Sequence, residues 1–266
     1  MKITALVENQ SKGDCRAKHG LSLYLQTQKH NVLFDLGPDD TLFENAKRRS
    51  IDLEMVDTVI LSHGHRDHGG ALRKFLSVNP TAKIYVQRSA FDDFYTKAVF
   101  WKIDIGLDKS LKNHPQIVLT DGDAVIDEEL KLITLPPPSA YRSPMNDSLY
   151  CGKRKDTFLH EQHLIVTERE TVLLMGCGHS GVLNVLEKAK KDRPTVCIGG
   201  YHLYDPVSRK TAPDDFLRVI ADGLNGYPHI VFYTCHCTGN KAFTYLQPKC
   251  RNLNYLSCGE SLTIGE

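Results

Sequence analysis

The residues Ser62-His63-Gly64-His65-Arg66-Asp67-His68-Gly69-Gly70 place three histidines and an aspartate within six positions. Imidazole nitrogens and carboxylate oxygens are ligands that divalent zinc, iron or manganese accept. Crowding three imidazoles and a carboxylate together without a cation would bring repulsion on protonation and a desolvation cost. The stretch therefore reads as a metal platform. It follows Val59-Ile60-Leu61, an apolar run that stops at a glycine-bearing turn, the pattern of a buried strand ending in a loop.

His179, His202 and His236 each sit in a glycine-flanked turn after an expected strand. Strand ends of an α/β sheet gather at one edge, where ligands bind. His19, His30, His114, His160, His163 and His229 lack such a context and read as ordinary core or surface residues, while His202 fits either description. Cys177, Cys235 and Cys237 crowd the same turns. On a strand Cys235 and Cys237 would point opposite to His236, so all three read as small buried residues rather than ligands. A thiolate facing the metals would favour redox chemistry.

The elements that must position these residues follow from periodicity. Residues 2–8, 21–25 and 32–35 predict a β-meander, and a helix with Leu42, Phe43 and Ala46 inward comes next. Strand 59–61 delivers the His-rich loop. A helix with Leu72, Phe75 and Leu76 inward, strand 83–86 and a helix from Ser89 to about Phe100 follow. Residues 116–135 predict two or three short strands. Pro136-Pro137-Pro138 opens an irregular, basic insertion near 136–160, too long for a plain connection and read as a substrate lid or subunit contact. Strands 163–167, 171–175, 195–198 and 229–233 then alternate with helices. The first helix is capped by Ser180 and carries Val182, Leu183 and Leu186; the second has Phe216, Val219 and Ile220 inward; a short one runs through Ala242 and Leu246. Short strands end the chain near Tyr255 and Leu262. A meander followed by βαβ units predicts an α/β layered architecture, taken as a single domain over 1–266.

Bulk properties set the outer limits. The length of 266 residues suits one large domain, and 41% hydrophobic residues can fill its core. Lys plus Arg (33) nearly cancels Asp plus Glu (32), a formal net charge of +1, so no nucleic-acid partner is expected. No apolar run approaches the roughly 18 residues of a membrane helix, and residues 1–8 read as a first strand, not a signal peptide. The eight scattered cysteines read as thiols of a cytoplasmic protein.

The stretch His63–Gly70 matches the H-x-H-x-D-H signature of the metallo-β-lactamase superfamily. Gly-Cys-Gly-His-Ser-Gly (176–181), Gly-Gly-Tyr-His-Leu (199–203) and His-Cys-Thr-Gly (236–239) resemble its branch of dihydropterin-ribofuranosylaminobenzene-phosphate synthase-like proteins, and His19-Gly20-Leu21-Ser22 and Phe34-Asp35-Leu36-Gly37 fit that branch's opening. The resemblance covers essentially the whole chain. It implies an αβ/βα four-layer sandwich with metals at one edge between the sheets. It implies two ions (zinc, or manganese or iron), the first held by His63, His65 and His179, the second by Asp67, His68 and His236. One departure stands out: Gly200 occupies the place where most of the superfamily carries a metal-bridging aspartate. Asp205, beyond the turn, is a weak substitute, and His202 could ligate or contact substrate instead. Lys18 stands where the branch tends to carry an acidic residue. Glu161-Gln162 resembles an acidic patch of the branch, with no role assigned.

The resemblance implies a metal-dependent hydrolase whose activated water attacks carbon or phosphorus of a small, anionic substrate. Asp67 is expected to accept a proton and His202 to donate one. Ser180, Gly200 and His202 are expected to border the substrate, with the Ser180–Val182 amides holding an anion and the basic stretch Arg142–Lys155 supplying charge. A homo-oligomer is compatible with this reading. The alternatives are a synthase joining an aminobenzene ribosyl phosphate to a pterin diphosphate, a di-iron redox protein, which normally brings glutamate ligands and a flavin domain, and a non-catalytic metal-binding module.

Overall fold

Strands Lys2–Val7, Ser22–Gln26 and Asn31–Phe34 form the expected antiparallel meander. Thr58–Ile60, Lys83–Gln87 and Ile117–Thr120 extend it in parallel, and Ser261–Thr263 closes the other edge. A second sheet has the spatial order Leu253–Tyr255, Val231–Thr234, Val196–Gly199, Thr171–Leu174, Gln162–Thr167, Leu130–Thr134, Ala124–Val125. Its first four strands are mutually parallel. Parallel strands buried on both faces need continuous apolar sequence, which Val59-Ile60-Leu61 and Val172-Leu173-Leu174 supply. The computed structural model describes residues 1–97, 101–137 and 140–265.

The layers follow from who touches whom. Leu23, Phe34 and Ile60 meet Leu132, Leu164 and Leu174 between the sheets. Leu42, Ala46 and Phe75, on helices Thr41–Arg48 and Leu72–Val78, cover the outer face of the first sheet. Helices Val182–Ala189, Asp214–Asn225 and Asn240–Leu246 cover the second. Helix, sheet, sheet and helix make the four-layer α/β sandwich. No helix among the described residues is long and apolar enough to cross a membrane.

Two local expectations are corrected. The helix from Ser89 to Phe100 is instead a 3-10 turn, Arg88–Phe91, followed by strand Phe94–Lys97, while 98–100 lie outside the described residues. That strand pairs with Lys102–Asp104 and with Leu149–Cys151 of the 136–160 insertion. The partner is remote in sequence, so local periodicity could not reveal it. In helix Asp214–Asn225 the buried face is Leu217, Ile220, Ala221 and Leu224, while Val219 is exposed.

Candidate metal centre

The parallel strands Thr171–Leu174, Val196–Gly199 and Val231–Thr234 end at the same edge, and they deliver Cys177 and His179, His202, and His236 to the loop after Thr58–Ile60. That loop is pressed flat against the adjacent segments. A Cβ on Gly64 would lie 2.3 Å from the Ala90 carbonyl oxygen, so glycine lets the histidines on either side turn inward together.

One ring nitrogen each of His63, His65 and His179 lies within 4.8 Å of the others. The hydrogen bonds fix which nitrogen that is. Ser62 Oγ donates to Asp35 Oδ2 at 2.7 Å, so it accepts from His63 Nδ1 at 2.9 Å. His179 Nδ1 donates to Asn146 Oδ1 at 2.8 Å, while Asn146 Nδ2 donates back to the His179 carbonyl. Both imidazoles are thereby held with Nε2 bare. The Nε2 atoms of His63, His65 and His179 are buried and have no partner among the described residues. Burial is the main cause that drives their pKa values far down, with the neighbouring histidines adding to it; His65 falls to about 3. Three buried, neutral lone pairs aimed at one point are unsatisfied as they stand and fit a divalent cation.

The second group lies beside it. His68 Nε2 is 3.3 Å from His236 Nε2 and 3.7 Å from Asp67 Oδ2, and His236 Nε2 is 3.4 Å from that oxygen. His68 Nδ1 donates to Asp35 Oδ2 at 2.6 Å, and His236 Nδ1 donates to Asn9 Oδ1 at 3.0 Å. Burial opposes charge on His68, but the Asp35 and Asp67 carboxylates outweigh it and push its pKa up to about 9. Two imidazole Nε2 atoms facing each other beside a carboxylate need positive charge between them, as a proton or as a metal ion. The donor set fits a second divalent ion.

Several supporting residues escaped the sequence reading. His19 Nε2 lies 3.4 Å from Asp67 Oδ2, which places it with Asp67 and His236 in a third possible ligand group; its only signal was its place in the opening motif. Glu161 accepts from the backbone amides of His179 and Ser180 at 2.8 and 2.7 Å. It anchors the histidine-bearing turn, which supplies the role missing for that acidic pair. His160 Nδ1 accepts from the Gly64 amide at 2.9 Å and Nε2 donates to Asp156 at 3.0 Å. It is a strut for the loop, with no bare nitrogen to offer.

A cavity of about 410 Å³ opens over both groups. His65, Asp67, Cys177, His179, His202 and His236 line it on one side. Ile103, Ile105, Leu149 and Val207 add apolar lining, beside the charged Lys18, Arg66 and Asp104. The insertion thus has two roles: Leu149 borders the cavity, and Asn146 orients His179. His202 faces the cavity at φ 46°, with no partner for either ring nitrogen among the described residues, and its ring centroid is 4.1 Å from that of His179.

Other expected site residues are not brought there. The Ser180 amide is already taken by Glu161 and the Gly181 amide by the Gly178 carbonyl, so two of the three amides of the expected anion cradle are spent within the chain. Gly200 does not line the cavity, because a Cβ on it would meet Cys237 Sγ at 2.5 Å and the Gly176 carbonyl oxygen at 3.0 Å. Asp205 borders the cavity but caps its own turn, accepting from the Val207 amide and the Ser208 hydroxyl at 2.9 and 2.7 Å. None of Arg142, Lys153, Arg154 and Lys155 lines the cavity; Arg142 donates to the Asp156 carbonyl. Cys237 is corrected as well. The strand stops at Thr234, and a 3-10 turn over His236–Thr238, with His236 at φ 45°, brings Cys237 round to the site while Cys235 enters the core between the sheets.

Comparison with known proteins bears on the family and the fold. Residues 16–147 match the family model described as metallo-β-lactamase superfamily. An uncharacterized protein of Methanocaldococcus jannaschii is 28% identical over 98% of this chain and 100% of its own. The 7,8-dihydropterin-6-methyl-4-(β-D-ribofuranosyl)-aminobenzene-5'-phosphate synthase of the same organism is 23% identical over 85% of this chain and 83% of its own. A crystal structure described as a metal-dependent hydrolase of the β-lactamase superfamily superposes with a TM-score of 0.83 at 25% identity, covering 100% of both chains. By sequence match over residues 16–147 and by fold over its whole length, the chain carries a metallo-β-lactamase superfamily domain.

Proposed function

We propose that the protein is a hydrolase that holds two divalent metal ions and acts on a small substrate with an apolar body and an electrophilic, anionic head. The observation that carries this reading is the set of buried Nε2 atoms of His63, His65 and His179, bare among the described residues, beside the cavity. In this reading His63, His65 and His179 hold one ion, and Asp67, His68 and His236 hold the other, with His19 alongside. Bound ions supply a water of lowered pKa and a clamp for a substrate oxygen. Asp35, Asn146 and Asn9 keep the ligand tautomers fixed, which is what orienting partners of metal-bound histidines do. His202 is the free proton donor at the cavity, since neither of its ring nitrogens is engaged. The apolar part of the lining receives the substrate body. Asp67 is the one carboxylate in the six-residue ligand set, so two divalent ions leave net positive charge that favours an anionic head.

Elemental mass spectrometry on the metal-loaded protein is expected to find two equivalents per chain. His179→Ala should lose one ion, and both His179→Ala and Asp67→Ala should lose hydrolysis across a panel of phosphodiesters and lactones. A protein that neither copurifies with a transition metal nor takes one up would overturn the reading. A synthase is the second reading, favoured by the 23% identical relative; condensation of a pterin diphosphate with an aminobenzene ribosyl phosphate, without release of hydrolysis products, is the outcome that would select it.

A further inference from the structure

We propose that Cys177 is a metal ligand whose sulfur takes the place between the two ions that a carboxylate at position 200 would fill. The inference rests on the two-ion reading above. It starts from a closed space. The turns Gly176–Gly178 and Gly199–Gly200 are interlocked, with the Gly200 amide donating to the Gly176 carbonyl at 2.9 Å. A Cβ on Gly200 would also lie 3.5 Å from Cys177 Cα. No side chain can project from position 200 unless Cys237 moves, while the neighbouring turn brings the Cys177 thiol in among the histidines.

The position of that thiol is central. Cys177 Sγ shares ligand-sized groups, all within 4.8 Å, with His63 and His68, with His236 and Cys237, and with His179 and His202. It therefore neighbours members of both ion positions, and it is 3.2 Å from His68 Nε2. His63, His179 and His202 belong to these groups, and the Nε2 atoms of His63 and His179 and both ring nitrogens of His202 are buried without a partner among the described residues. Cys237 is the competing sulfur, but it is already engaged. It donates to the Cys177 carbonyl at 3.4 Å and accepts from the His202 amide at 3.3 Å. Its role is to fill the space above Gly200 and hold the two turns together.

On binding, the sulfur–metal bond forms and the thiol proton leaves to solvent. A soft thiolate among imidazoles selects zinc, cobalt or iron over manganese or magnesium, which prefer oxygen.

X-ray absorption at the zinc edge tests this without an activity assay. The zinc-loaded wild type and Cys237→Ser should both show a sulfur shell at about 2.3 Å, beside the nitrogen and oxygen shell at about 2.0–2.1 Å. Cys177→Ser should lose the sulfur shell. Cys177→Asp should lose it too but retain two zinc ions, and circular dichroism establishes that each variant is folded. Because the wild-type spectrum is decisive alone, a variant that fails to fold does not rescue the proposal. Two bound zinc ions with no sulfur shell in the wild type would overturn the Cys177 assignment and leave the two-ion reading standing. A sulfur shell that survives Cys177→Ser and vanishes in Cys237→Ser would overturn it in favour of Cys237. Failure of the wild type to bind zinc at all would overturn both.

Discussion

Asp35 is fully buried and does not line the cavity, yet it reaches histidines of both proposed ion positions. Its Oδ2 accepts from His68 and, through the Ser62 hydroxyl, orients His63; its Oδ1 accepts from the Ser62 amide at 2.7 Å. It holds φ 62°, a left-handed backbone that non-glycine residues adopt at some cost and that clusters at functional sites. Asp35→Asn would set an amide nitrogen against N–H and O–H donors. Metal affinity is expected to fall about 10–100-fold, read by competition against a chromogenic chelator, and an unchanged affinity would remove Asp35 from the supporting shell. At this scale the sequence exposes ligands and conceals their supports. His63, His65, Asp67 and His68 are legible because they are contiguous and chemically costly to crowd. Asn9, Asn146 and Glu161 carry no local signature; each acts through one hydrogen bond to a residue distant in the chain.

Strands and helices with a burial periodicity of their own were legible, down to the face of Leu72–Val78. Elements that exist only through a partner were not. Strand Phe94–Lys97 depends on Leu149–Cys151, and Tyr95 stacks on Tyr150 with ring centroids 5.3 Å apart. The turn between Ser22–Gln26 and Asn31–Phe34 makes a clasp of the same long-range kind. His30 bonds Asp57 Oδ1 through Nδ1 and Asp127 Oδ2 through Nε2, both at 2.7 Å, and so ties the first sheet to the second. Burial works against the charged ring, but the two carboxylates outweigh it and raise the His30 pKa. A folded pKa above the unfolded value of about 6.5 gives stability that is full below that value. It is lost as pH rises through the folded pKa. Wild type is expected to exceed His30→Gln in denaturant midpoint at pH 6, with the gap narrowing toward pH 9. A gap that widens with pH would contradict the clasp.

For the whole molecule, the proposed ligands come from both sheets, and bound metal ions would pin those sheets together. Without them, His63, His65 and His179 must stay neutral in the interior, since burial depresses their pKa values. Depressed folded values mean stability that is present above about pH 6.5 and is lost as pH falls. Added zinc at a hundredfold excess over its Kd should stabilise the native state by about 2.7 kcal/mol for each site filled, on the order of 5–10 °C in Tm per site. Differential scanning calorimetry with and without chelator measures the shift, and equal Tm values would mean that the ions do not bind the folded chain. The layered fold was legible because its βαβ units fix the order of strands and helices. How tightly the turns at the rim interlock was not, because a glycine in sequence does not disclose what occupies the space beside it. The contact between Gly200 and the Cys237 sulfur also restricts substitution. In this chain a single Gly200→Asp exchange meets the Cys237 sulfur at the first carbon of the new side chain, so position 200 can change only together with position 237.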